Sequence, residues 1–87
     1  MNNLTGHTLR RVDLAEWYAR EAIACDAMGA HITAHEHIET AREYIDATLG
    51  RRVRIDTADE VIAHCMGLRE GSILPAPEHE PELAEAS

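Results

Sequence analysis

The chain has no lysine, no glutamine and no phenylalanine, and its 87 residues include three aromatics (Trp17, Tyr18 and Tyr44), two cysteines and three prolines. Each shortage excludes something. With so few rings, a core has to be assembled from Ala, Ile, Leu, Val and Met. Two cysteines do not make the disulfide framework of a small secreted domain, so Cys25 and Cys65 read as reduced, half-buried thiols. No long apolar run is present, which argues against a transmembrane span or a secretory signal and places the protein in the cytoplasm of its cell or host. A chain of this length holds one small domain, and it contains no internal repeat; multidomain enzymes and repeat arrays are excluded.

Charge is abundant and one-sided. Sixteen acids stand against eight bases, all arginine, for a net charge of -8. Residues 1–54 carry seven Arg against eight acids, whereas residues 55–87 carry Arg69 alone against eight acids. The acidity therefore belongs to the C-terminal third. Sequence-independent nucleic-acid binding needs basic side chains that release counterions from phosphates, so this balance argues against direct nucleic-acid binding by the surface as a whole.

The hydrophobic spacing predicts an all-α fold: an antiparallel helical hairpin and a shorter third helix. In residues 8–28, Val12, Ala15, Ala19, Ala22 and Ile23 form a stripe that Leu14, Tyr18 and Cys25 widen, and Gly29 is a natural stop. Thr33 and Glu36 have capping-box spacing and predict the start of a second helix there. Its buried stripe is Ala34, Ile38, Ala41 and Ile45, and it ends at Gly50. The short connection makes the two helices antiparallel neighbours.

Alternation over Arg51–Asp56 predicts a short extended segment at 52–55, followed by a second capping box, Thr57 to Glu60. A third helix over about 58–68 should bury Ala58, Val61, Ile62, Cys65 and Met66. Ser72-Ile73-Leu74 has the character of a scrap of strand that pairs with Val53-Arg54-Ile55, in this chain or in a second copy. From Pro75 onward, three prolines and four glutamates without a base leave too little apolar surface to offset the entropy of ordering. The expected organisation is an N-terminal tail over 1–7, one helical domain over 8–74, and a mobile acidic tail over 75–87.

His31, His35 and His37 fall at the start of the second helix, Cys25 near the end of the first, and His64 next to Cys65 in the third. His31 and His35, four residues apart, can share a helix face and form a zinc site with Cys25 across the turn, which would make the protein a metal-stabilised sensor or regulator. The set lacks a fourth ligand. His35-Glu36-His37 does not continue into the H-E-x-x-H pattern, because position 39 is Glu. No phosphate loop or nucleophile motif is present, so the chain reads as a non-enzyme without a cofactor.

Arg51, Arg52 and Arg54 follow the C-terminus of the second helix, whose dipole they complement. They also offer a grip on an acidic partner or, in a dimeric transcription regulator, on nucleic acid. Against the latter, the third helix opens with Asp59 and Glu60, which a DNA groove repels. On the reverse face of the first helix, Trp17 and Met28 stand among Arg10, Asp13, Arg20 and Glu21. Trp, Met and Arg are enriched in interfaces. The expected partner-binding residues are Trp17, Met28, Arg20, Arg51, Arg52 and Arg54. The function this predicts is a small regulator or inhibitor that binds a second copy of itself or a larger protein. In a finer form it covers a basic, nucleic-acid-binding surface, as inhibitors encoded by phages and mobile elements do.

Overall fold

A computed structural model describes residues 4–77. Three helices make up the fold: α1 (Gly6–Ala27), α2 (His31–Leu49) and α3 (Ala58–Glu70). The first two form the antiparallel hairpin and the third packs mainly on α1. Among the described residues there is no strand.

The hairpin follows from two facing stripes. On α1, Thr8, Val12, Ala15, Ala19 and Ala22 are buried; on α2, Ala34, Ile38, Ala41, Ile45, Thr48 and Leu49 are. Alanine on both sides lets the helices approach closely along their length. The first helix begins at Gly6, inside the stretch expected to be a tail, because Thr5 caps it: the Thr8 N–H donates to Thr5 Oγ1 at 3.2 Å. At the other end the chain turns tightly. Gly29 adopts φ 83°, and the Ala30 N–H reaches back to the Cys25 carbonyl at 2.8 Å.

That turn corrects the expected start of α2. The helix resumes at His31, so Thr33 lies inside its first turn and caps nothing; Ala30 takes the cap position without a side-chain bond. Ala34 N–H already donates to the Ala30 carbonyl at 3.0 Å. The backbone turn thus sets the boundary that the Thr33–Glu36 pair was expected to set.

Gly50 closes α2 in the left-handed conformation, φ 70°. In the connection that follows, burial alternates as expected: Val53 and Ile55 are in the core while Arg51, Arg52, Arg54 and Asp56 are exposed. The segment is held without a partner strand. Asp46 Oδ1 accepts the Val53 N–H at 2.8 Å, and its other oxygen takes Arg42 Nη1 at 2.9 Å.

The capping box at Thr57 and Glu60 is present in both directions, and α3 starts on it. The helix buries Ala58, Val61, Cys65 and Leu68, and the Cys65 thiol points at the Val12 carbonyl. Met66, expected inside, is exposed; Leu68, at i+3 from Cys65, takes the core position. A two-armed ion pair also joins α3 to α1: Arg69 contacts Asp13 at 2.7 Å and Glu16 through its other terminal nitrogen.

Residues 72–74 do not pair with 53–55 within the chain. Instead, Ile73 folds back over Gly67, whose carbonyl accepts its N–H at 3.0 Å. The chain then crosses to the foot of the hairpin, where the Ala76 N–H donates to the Thr48 carbonyl at 2.9 Å. Of the expected acidic tail, residues 78–87 lie outside the described residues.

Candidate partner-binding surface

The outward face of α1 carries a second helical stripe. Gly6, Leu9, Arg10, Asp13, Leu14 and Trp17, spaced i, i+3, i+4, i+7, i+8 and i+11, line one shallow groove. Trp17 closes its upper end at 54% exposure, and Leu9 is 41% exposed. Leu14, expected beside the inner stripe, is half-buried and turns toward this groove.

Trp17 is held by the other rings. Its indole meets Tyr18 edge-on at 5.0 Å, Tyr18 stacks on Tyr44 at 6.1 Å, and His37 tilts against Tyr18 at 5.6 Å. All three aromatics of the chain therefore belong to one array that runs from the hairpin seam to the surface. Such edge-to-face contact restrains a half-exposed indole that would otherwise sample several rotamers.

A separate apolar group occupies the hairpin tip. Ile23, Met28 and Ile32 are 45%, 77% and 79% exposed. The turn beneath them is fixed by the Ala30 to Cys25 backbone bond and by His31 Nδ1 at 2.8 Å from Asp26 Oδ1. Ile23, expected in the buried stripe, stays outside because the bonds from α3 to α1 fall at Val12, Asp13 and Glu16, short of its level.

The remaining expected site residues separate. Arg20 is paired with Glu16 at 2.6 Å on its own helix. Glu16, bridging Arg20 and Arg69, has its carboxyl held below the ordinary range, first by the Arg20 hydrogen bond and then by that from Arg69. Arg51, Arg52 and Arg54 lie at the foot of the hairpin, away from the tip, and all are exposed.

Cys25, His31 and His35 are not assembled into a ligand set. His31 bonds Asp26, His35 Nε2 stands 4.0 Å from Glu39, and among the described residues no group of three or more His, Cys, Asp or Glu is gathered to hold a metal ion. The second cysteine is a packing residue: burial pushes the Cys65 thiol up to about 11, where it carries no thiolate at neutral pH.

Trp17 and Met28 were legible from their position opposite the buried stripe, but Leu9, Ile23 and Ile32 were missed. The signal for Leu9 was present, since it lies eight residues before Trp17. Nothing in the local pattern distinguishes Ile23 from a core residue, because its exposure depends on how far α3 reaches. No family model, curated protein or solved structure matches this chain. None of the described helices is long and apolar enough to cross a membrane.

Proposed function

We propose that this chain is a small, non-enzymatic protein-binding module that regulates or inhibits its partner by contact. The observation that carries the reading is Trp17: the chain's one tryptophan stands half-exposed over an apolar groove and is braced by Tyr18. Tryptophan in such a setting is a frequent binding anchor, since it contributes large contact area at low entropic cost. Met28 and Ile32 at the tip supply a second apolar contact on the same hairpin. A net charge of -8 favours a basic target surface, to which long-range attraction speeds encounter.

The test uses the tagged full chain, purified from its native host beside Trp17→Ala and Met28→Asp variants, with mass in solution measured by sedimentation. The expected result is loss of a specific partner, or of the dimer, with helical content unchanged. Equal partner recovery and equal mass for all three chains would remove the proposal. For a basic target, recovery should also fall as salt is raised.

A further inference from the structure

A different surface, at the foot of the hairpin, carries an independent inference. Arg51, Arg52 and Arg54 are exposed, and among the described residues none of them forms an ion pair. The acids nearest on α2 are already engaged, Asp46 by Arg42 at 2.9 Å and Glu39 by the same guanidinium at 2.8 Å. Two acids, Glu39 and Asp56, share a shallow depression with Arg52 and Arg54; Glu39 is bonded to Arg42, which leaves Asp56 as the acid there without a salt bridge among the described residues. In a chain of net charge -8, this is a local cationic surface, of which the partial negative charge at the carbonyl end of α2 offsets only a part.

What the chain brings to that surface is set by the course of residues 71–77. Ala76 is bonded to Thr48, and its Cβ lies 2.9 Å from where a Cβ on Gly50 would stand. The chain beyond Pro77 is therefore delivered next to the residue that precedes Arg51. Residues 78–87 contain Glu78, Glu80, Glu82 and Glu85 and no arginine. Ten residues reach up to ~33 Å when extended, so the span from Ala76 to Arg54 poses no obstacle.

We propose that the occupant of the Arg51–Arg54 surface is the chain's own acidic segment, residues 78–87. Carboxylates meet guanidinium groups in charge-assisted hydrogen bonds, and arginine offers several donors to each. The tether makes the encounter intramolecular, with an effective concentration on the order of mM for a short linker. The segment is thereby a built-in competitor: an acidic peptide from another protein gains Arg51, Arg52 and Arg54 only by displacing it.

The experiment uses the full chain with a nitroxide attached through Ser87→Cys, and Cys25→Ser to remove the other accessible thiol. Relaxation enhancement of backbone amides is read by NMR. The expected result is strong enhancement at residues 51–54 at low salt, most of which is lost at about 1 M NaCl, where the screening length is ~3 Å. The same loss is expected at low salt when Glu78, Glu80, Glu82 and Glu85 are all changed to Gln, which preserves tether and length. Enhancement at 51–54 that ignores both salt and the glutamine changes reports mere proximity and overturns the proposal. So does enhancement centred elsewhere, or one that disappears on dilution of labelled into unlabelled protein, which would assign the contact to a second copy.

Discussion

Replacing Gly50 by alanine should cost more than replacing Gly29, and the excess measures how residues 72–77 are held. Both glycines have positive φ, 70° and 83°, so each substitution carries the left-handed penalty of about 1–2 kcal/mol for an L-residue. At Gly29 that is the whole cost, because an added Cβ meets nothing within 4 Å. At Gly50 it would lie 2.9 Å from Ala76 Cβ. The chain then either tolerates overpacking, at about 1–3 kcal/mol, or releases Ala76 and loses its bond to Thr48, at about 0.5–1.5 kcal/mol. The cheaper route governs, so the excess is about 1 kcal/mol. In a domain of this size that is a difference of roughly 4–8 °C in melting temperature between the two variants. Urea unfolding followed by far-UV circular dichroism gives both values. Adding Ala76→Gly to Gly50→Ala removes the colliding methyl and should recover most of the excess, whereas it should do nothing for Gly29→Ala. Equal costs for the two glycines with no coupling to position 76 would refute the placement of this segment against the foot of the hairpin.

Leu68→Ala, at a site 1% exposed, should destabilise by about 2–5 kcal/mol, while Met66→Ala on the same helix stays within about 0.5 kcal/mol in the same assay. Thr57→Ala removes the α3 capping box and should cost about 1 kcal/mol, whereas Thr33→Ala, inside α2, removes no cap. Because Arg20 and Arg69 lower the folded-state carboxyl of Glu16, its contribution is complete above the unfolded value near 4.5 and is lost as pH falls through the folded one. The urea midpoint of the parent should therefore drop more steeply with acidification in that range than the midpoint of Glu16→Gln; parallel curves would count against the bridge. At neutral pH, a maleimide should modify Cys25 and spare Cys65 until the protein unfolds, as read by mass spectrometry.

The hairpin and third helix were legible because the information that defines them is local. Stripes such as Ala34, Ile38, Ala41 and Ile45 repeat at helical period, and Gly29, Gly50 and the Thr57–Glu60 pair punctuate them. The errors arise where a non-local or backbone effect outweighs the pattern. Thr33 and Glu36 had cap spacing, yet the Ala30 to Cys25 bond closed the turn first and left them within the helix. Ile23 had core spacing, but burial needs a neighbour, and α3 at 13 residues is ~20 Å long against ~33 Å for α1. Met66 sits about 100° around α3 from Cys65, whereas Leu68, three residues on from Cys65 and already inside the expected helix, keeps to the buried face. The proposed surface divides the same way: Trp17 and Met28 were visible as apolar residues opposite a stripe, whereas Ile32 needed the observed turn to place it.

The distribution of side-chain bulk ties the fold to the proposal. Among the described residues, six of the fifteen buried hydrophobics are alanine, which bring α1, α2 and α3 together while removing little apolar surface from water. Meanwhile Leu9, Trp17, Ile23, Met28, Ile32, Met66 and Leu74 are left exposed. Scattered exposed apolar residues are ordinary in a folded chain, and it is the braced tryptophan above a groove on which the proposed function rests. Folding gives only a modest reason to keep Trp17 large: its outward position means that truncation leaves no internal cavity, and its ring contact with Tyr18 is worth about 0.5–1.5 kcal/mol. Burial against a second surface supplies a further reason, since the same indole then contributes area that the alanine-rich seam does not. On the proposed reading the chain is a scaffold whose narrow core frees its bulky residues for contact, and Trp17→Ala separates the two roles by leaving the scaffold standing.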